Sequence, residues 1–161
     1  MKNNLEEINV FNNDDPDIKS EWLVNFIDNY SQLSTRNLNL LKDIYHQDIL
    51  FIDPIHQVKG FDNLQQYFSD LYENLSRCHF TIEHVFEQNN EAAIYWEMSY
   101  QHPKLNSGKV ITVQGHSHIK GEDVTNKVIY HRDYLDVGAM LYEHVPLLGR
   151  LIQWIKARAS K

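Results

Sequence analysis

The chain has 161 residues, of which 42% are hydrophobic, and a formal net charge of −7 at pH 7. This length suits one domain with a single core, and the negative charge argues against a nucleic-acid partner, which needs a basic surface. The single cysteine, Cys78, excludes an intramolecular disulfide and a cysteine metal cluster, as is typical of proteins in a reducing compartment.

The first 17 residues are predicted to be a flexible arm, because residues 12–17 are polar turn formers. The arm lacks the apolar run of a signal peptide, and no stretch of the chain approaches the ~20 apolar residues of a membrane span. We therefore expect a cytoplasmic protein.

Apolar residues at helical spacing then predict three helices, over about residues 18–33, 38–45 and 61–76. Their inward residues are predicted to be Trp22, Leu23, Phe26, Ile27 and Tyr30 in the first, Leu41, Ile44 and Tyr45 in the second, and Leu64, Tyr67, Phe68, Leu71 and Leu75 in the third. Residues 49–52 form a short strand that Pro54 ends, since proline lacks a backbone donor.

Alternating patterns then predict four strands, over residues 80–87, 92–101, 109–120 and 124–135. Their short polar joints indicate an antiparallel meander, and residues 139–159 return to helix. The order of elements predicts an α+β, cystatin-like cone: a curved antiparallel sheet packed against three N-terminal helices, with a C-terminal helix and an internal cavity. The predicted parts are an arm (1–17), one domain (18–144) and a basic C-terminal helix (145–161).

Two segments resemble a known superfamily. Residues 44–68, IYHQDILFIDPIHQVKGFDNLQQYF, are similar to a run common among nuclear transport factor 2-like proteins, which include SnoaL-like proteins, ketosteroid isomerases and limonene epoxide hydrolases. Residues 129–136, IYHRDYLD, resemble a strand end of the epoxide hydrolases and of many SnoaL-like proteins. The resemblance covers roughly residues 21–140 and implies the fold more than the reaction, because this fold carries isomerases, cyclases, hydrolases and binding modules.

Asp53, which precedes Pro54, matches the general base of the ketosteroid isomerases. Their two oxyanion-donor positions fall here on Gly115 and Asn29. Because losing one such donor commonly costs about 100-fold or more, steroid isomerisation is not expected.

Asp133 matches the water-activating aspartate of the epoxide hydrolases. Met98 and Tyr100 stand where those enzymes have an arginine and a second aspartate, and Phe51 and Asp53 replace their water-holding tyrosine and asparagine. Epoxide hydrolysis is therefore not expected either, whereas the match of Asp133 to the acid–base aspartate of SnoaL-type cyclases remains.

If Asp133 faces the cavity, alternation places Ile129, His131 and Leu135 on the same side. We therefore predict Asp133 as general acid or base, with His131 or Asp53 as its partner. The predicted ligand-binding residues are Tyr30, Phe51, Trp96, Met98, Tyr100, Val113 and Ser117. This largely apolar set suits a hydrophobic small molecule and a cofactor-independent reaction.

Simpler structural roles compete with these. Asp133 and Asp136 would then only cap the C-terminal helix, and Asp53 would belong to an ordinary Asp-Pro turn. The sequence alone does not decide between an acid–base enzyme of isomerase, cyclase or hydrolase type and a non-catalytic ligand-binding or protein-interaction module.

His116 and His118 are predicted to lie together on the outer face of the sheet, which commonly makes the dimer contact in this superfamily. They lack the third ligand of a catalytic zinc site unless His84 supplies it. We expect interface or solvent-facing histidines, no metal, and a homodimer through this face.

The C-terminal segment carries Arg150, Lys156, Arg158 and Lys161 and, from residue 145, no acid. Its apolar residues recur at helical spacing, so peripheral contact with an anionic membrane is one possible role. A lid over the cavity or a dimer contact is the role we expect instead.

Overall fold

The computed structural model describes residues 20–159, so the predicted arm at residues 1–17 lies outside the described residues. The helices are α1 (Glu21–Tyr30), α2 (Leu41–Ile44), α3 (Phe61–Glu73), α4 (Val137–Met140) and α5 (Leu148–Ala159), with short 3₁₀ helices at Leu38–Leu40 and Tyr142–His144. The strands are β1 (Tyr45–Ile52), β2 (Gln57–Lys59), β3 (Arg77–Gln88), β4 (Glu91–Gln101), β5 (Ile111–Glu122) and β6 (Lys127–Leu135).

Helix α1 presents the stripe that the sequence predicts. Its five apolar or aromatic residues at helical spacing, from Trp22 to Tyr30, are all buried. Each large side chain removed from water in this way stabilises the fold by about 1.5–3 kcal/mol. The inward residues of α2, Leu41 and Ile44, are also completely buried, so both helices cover the sheet.

Helix α3 is rotated slightly from the prediction. Its buried residues are Phe61, Leu64, Phe68 and Tyr72. This spacing of three, four and four residues keeps one face of the helix against β1. Leu71, which we expected to point inward, falls beside that face and is exposed.

The six strands form one curved, open sheet in the order β2-β1-β6-β5-β4-β3. The predicted meander is confirmed, because β3, β4, β5 and β6 pair antiparallel in chain order. The first strand begins earlier than predicted, at Tyr45, and pairs parallel with β6. The sheet is therefore mixed, because the long route from β1 through α3 and the meander brings β6 back in the same direction.

A register shift corrects one predicted orientation. Lys120 of β5 pairs with Tyr130, and the next residue, Gly121, pairs with Val128. Ile129 is the extra residue of a β-bulge and becomes exposed, whereas Val128 is buried in its place. Alternation holds beyond the bulge, so His131 points inward and Arg132 outward.

Candidate functional site

His131 is completely buried at the centre of an aromatic cluster. The ring of Phe51, its neighbour across the β1–β6 pair, lies 4.9 Å away between centroids, and Phe26, Tyr30 and Tyr45 lie at 5.7, 5.9 and 5.9 Å. The interior around His131 is therefore packed with rings. Two of the predicted ligand-binding residues, Tyr30 and Phe51, belong to this packing.

Both nitrogens of His131 are hydrogen-bonded. Nδ1 lies 2.7 Å from the Tyr45 hydroxyl oxygen, and Nε2 lies 2.8 Å from Oδ1 of Asp133 and 3.2 Å from Oγ of Ser117. These contacts are satisfied together when Tyr45 donates to Nδ1 and the Nε2–H group donates to the Asp133 carboxylate. His131 thus holds Asp133 through Nε2 and is itself held by Tyr45 through Nδ1.

A second series of hydrogen bonds reaches Asp133 from β5. The Ser117 hydroxyl donates to Asp133 Oδ1 at 2.5 Å, and the indole Nε1–H of Trp96 donates to Ser117 Oγ at 2.8 Å. The Trp96 ring reaches Ser117 because Gly115 stands opposite it in the β4–β5 pair, where an added Cβ would lie 2.5 Å from the ring. Glycine at this position is therefore needed for packing.

The two oxygens of the Asp133 carboxylate have different surroundings. Both of its hydrogen bonds are accepted by Oδ1, and among residues 20–159 no group hydrogen-bonds Oδ2. The side chain is 11% exposed, so it lies at the edge of the buried cluster. A carboxylate fixed through one oxygen presents the other in a defined direction.

The hydroxyl of Tyr30, whose ring lies close to that of His131, has no hydrogen-bond partner among residues 20–159. Burial raises the pKa of Tyr30 well above its usual value of 10.0, and the charges of Tyr45 and Asp133 raise it further. The hydroxyl therefore stays protonated at neutral pH and is available as a donor.

Asp53 has a different environment from Asp133. Its Oδ1 accepts hydrogen bonds from the backbone N–H groups of Ile55 and His56, both at 2.7 Å, and its Oδ2 accepts one from the Tyr67 hydroxyl. Oδ1 therefore has the structural role in the Asp-Pro turn that the simpler interpretation predicts. Burial raises the pKa of Tyr67, and the hydrogen bond to Asp53 and the charges of Asp53 and Asp133 raise it further, so Tyr67 remains a donor to Asp53 at neutral pH.

The remaining predicted ligand-binding residues lie on β4 and β5. Trp96, Tyr100, Val113 and Ser117 are buried, and Met98 is partly buried against the core. The Tyr100 hydroxyl donates to the carbonyl of Met140, which fastens α4 to the sheet. Asp136 caps α4 by accepting from the Ala139 N–H at 3.1 Å, so the capping role applies to Asp136 and not to Asp133.

Two cavities lie away from these groups. A cleft of about 770 Å³ is formed by α1 and the β5–β6 turn, and one of about 410 Å³ lies between the β4–β5 loop and the first turn of α5. Neither is lined by Asp53, His131 or Asp133. Asp133 reaches the surface separately from both, with a side chain that is 11% exposed.

Two residues of the network were missed in the sequence, Tyr45 and Tyr67. Both were predicted only as apolar inward positions. A tyrosine on a buried stripe needs a partner for its hydroxyl, and that requirement is the signal that could have identified them.

The outer face of the sheet carries a row of rings. His116 stacks between Tyr95 and Tyr134, at centroid distances of 5.4 and 4.8 Å, and Phe86 packs edge-on against Tyr95 at 5.9 Å. His118 instead contacts Glu91, with 2.6 Å between Nε2 and Oε2. In the described part of the chain no three histidine, cysteine or acidic side chains are grouped to hold a metal ion.

The comparisons with known proteins agree with this architecture. The chain resembles a proposed SnoaL-like polyketide cyclase from Jannaschia sp. CCS1 (15% identity, 75% of this chain and 86% of that chain, TM-score 0.61). It also resembles TerC crystallised with polyporic acid (13%, 75% and 95%, 0.65) and a protein with a ketosteroid isomerase-like fold from Catenulispora acidiphila DSM 44928 in complex with trimethylamine (13%, 77% and 92%, 0.65). At these identities the likeness shows the fold alone.

An α+β fold with a curved, open sheet of six strands is the architecture of the nuclear transport factor 2-like superfamily. A sequence profile of the SnoaL-like domain matches residues 26–129, more than half of the chain, so the chain belongs to the SnoaL-like domain family. No curated protein matches it.

Proposed function

We propose that this chain is an acid–base enzyme that acts on a hydrophobic small molecule, with Asp133 as the group that transfers the proton. The observation that carries the proposal is the asymmetry of the Asp133 carboxylate. Oδ1 is held by Ser117 and His131, whereas Oδ2 has no partner among the described residues. Because the side chain is 11% exposed, a bound molecule can reach a carboxylate whose direction is fixed by two hydrogen bonds.

The buried tyrosines divide the remaining roles. Tyr45 holds His131, and burial followed by the charge of Asp133 raises the pKa of Tyr45 well above its usual value, so Tyr45 remains a donor at neutral pH. Tyr30 has a protonated hydroxyl without a partner among residues 20–159, which suits a donor to an oxygen that gains negative charge. Asp133 and Tyr30 thus supply a base and a neutral donor.

These roles define a reaction class. Asp133 Oδ2 removes a proton from a carbon next to a carbonyl group, and Tyr30 stabilises the enolate oxygen. A conjugated enolate then takes the proton back from Asp133 at another carbon, which isomerises the substrate. Alternatively the enolate attacks a second carbonyl carbon in the same molecule, which closes a ring, and the resulting alkoxide takes the proton back from Asp133. No electron acceptor and no cofactor are needed. The surrounding rings favour an aromatic or polycyclic substrate, which accords with the descriptions of the structural neighbours as a polyketide cyclase and as TerC with polyporic acid.

Solvent deuterium exchange tests this proposal before the natural substrate is known. Mass spectrometry of small molecules released from the purified protein guides the choice of a panel of aromatic ketones that can form enolates. Wild-type protein in D2O is expected to introduce deuterium into at least one of them, and Asp133→Asn to slow this by about 100-fold or more. The matched control is Asp48→Asn, which changes a carboxylate that is 91% exposed.

Binding is measured separately by quenching of tryptophan fluorescence with polyporic acid, because Trp96 is hydrogen-bonded to Ser117 beside Asp133. Retained quenching with lost exchange in Asp133→Asn supports catalysis. Equal exchange rates in wild type and Asp133→Asn would exclude Asp133 as the base.

The alternative is a non-catalytic ligand-binding or dimeric interaction module. The row formed by Phe86, Tyr95, His116 and Tyr134 favours it, because exposed stacked rings on a sheet face are typical of protein contacts. We propose that a second copy of the chain covers this row, and a homodimer of this kind is compatible with either function. Quenching by polyporic acid without deuterium exchange in any ketone would favour the module.

A further inference from the structure

Helix α5 leaves most of its apolar side chains uncovered. Leu151, Trp154 and Ile155 are 52%, 54% and 51% exposed, and Leu148 is also exposed. The helix is fastened near its start, where an added Cβ on Gly149 would lie 2.1 Å from the carbonyl oxygen of Glu143. The stripe therefore does not cover the sheet as a lid, which was one of the two roles, lid or dimer contact, that we expected from the sequence.

The charges on α5 are all positive. Residues 148–159 include Arg150, Lys156 and Arg158 and no carboxylate. Lys156 binds Glu143 and lies 3.5 Å from Asp136. Within residues 20–159, neither Arg150 nor Arg158 has a carboxylate partner, so both charges remain available.

The two arginines flank Trp154 along the helix, four residues before it and four residues after it. The guanidinium carbon of Arg158 lies 4.4 Å from the centroid of the Trp154 ring. The cavity of about 410 Å³ beside the first turn of α5 is lined by Arg150, Lys104 and Glu143. Arginine and tryptophan both combine an apolar body with a polar end, and such residues border helices that lie in a membrane interface.

We propose that α5 binds the surface of a bilayer that contains anionic lipids. Leu148, Leu151, Trp154 and Ile155 would enter the boundary of the acyl chains while Arg150 and Arg158 remain among the lipid phosphates. With 12 residues α5 is too short to cross a bilayer, and no helix within residues 20–159 is long and apolar enough to do so. The helix lies parallel to the surface.

A second copy of this chain is the competing occupant of the stripe. It would have to place carboxylates against both arginines while covering the leucines. Two arginines next to exposed apolar side chains are an arrangement that an anionic lipid surface satisfies at every point, because each phospholipid headgroup carries a phosphate. The charge pattern therefore favours lipid.

The test is flotation of the full chain with vesicles of phosphatidylcholine mixed with phosphatidylglycerol, and with phosphatidylcholine alone. Wild type is expected to float with the mixed vesicles and to be released by high salt. The double change Leu151→Glu and Ile155→Glu should weaken partitioning by about 100-fold or more, because two apolar groups leave the lipid. Arg150→Gln should weaken it by about fivefold, the effect of one charge near the surface.

The matched control is the pair Leu71→Glu and Val124→Glu, which adds the same charge at two other exposed apolar side chains, one of them also on a helix. It should weaken flotation only slightly. Folding of every variant is checked by circular dichroism, and half-exposed positions are expected to tolerate the change.

Tryptophan fluorescence gives an independent reading, because Trp154 is exposed whereas Trp22 and Trp96 are buried. Mixed vesicles should shift the emission to shorter wavelength, and Trp154→Phe should abolish the shift. The proposal is overturned if wild type does not float, or if the α5 variant floats as well as the control pair. It is also overturned if the α5 variant changes only the sedimentation mass, since the occupant is then a second copy.

Discussion

The hydrogen bond between Tyr45 and His131 allows a matched test of the buried network. Tyr45 and Tyr30 are both buried and both contact the His131 ring, but only Tyr45 donates to it, at 2.7 Å from Nδ1. Replacing either tyrosine by phenylalanine keeps the ring and removes one hydroxyl. The two substitutions therefore differ chiefly in whether a buried hydrogen bond is lost.

Tyr45→Phe leaves the Nδ1 acceptor of a completely buried histidine without its donor. An unsatisfied buried acceptor costs about 1–3 kcal/mol, so the free energy of unfolding should fall by that amount. Tyr30→Phe removes a hydroxyl that has no partner within residues 20–159, and the expected change is near zero. In a chain of this size the melting temperature falls by about 2–4 °C for each kcal/mol.

Urea denaturation followed by circular dichroism measures both variants, and equal slopes are required for comparison. In a His131→Leu background, Tyr45→Phe should cost little, because its acceptor is already absent. Equal losses for Tyr45→Phe and Tyr30→Phe would refute the assigned network, as would an undiminished loss in the His131→Leu background.

Three further predictions concern packing, alkaline stability and assembly. Gly121→Ala would place a Cβ 1.9 Å from the buried Trp22 ring, so urea denaturation should show a loss of about 1–3 kcal/mol or more, and an unchanged midpoint would contradict this packing. Burial raises the pKa of Cys78 from 9.0 to about 11. The neutral, buried thiol therefore stabilises the fold fully below pH 9, and this stabilisation is lost as the pH rises towards 11. Over that range the urea midpoint of wild type should fall more steeply than that of Cys78→Ala. Tyr134→Lys should convert the proposed homodimer to monomer in analytical ultracentrifugation, whereas Val124→Lys should not; a monomeric wild type would exclude the dimer.

Periodicity in the sequence was enough to determine the α+β class, the stripe of α1 and the antiparallel meander. These features depend on residues close together in the chain, because helices bury every third or fourth residue and strands alternate. The same alternation placed Asp133 and His131 on one side of β6.

Tertiary structure decided what local pattern could not specify. The bulge at Ile129 and the parallel pairing of β1 with β6 depend on how distant strands meet, and that pairing places Phe51 beside His131. The partnership of Tyr45 with His131 spans 86 positions in the sequence. Because such a hydrogen bond forms only where two distant chain segments converge, neither that contact nor the fixing of Asp133 through Oδ1 could be deduced from spacing. The uncovered stripe of α5 has the same origin, since an amphipathic pattern predicts a helix and an apolar face but does not specify what will cover that face.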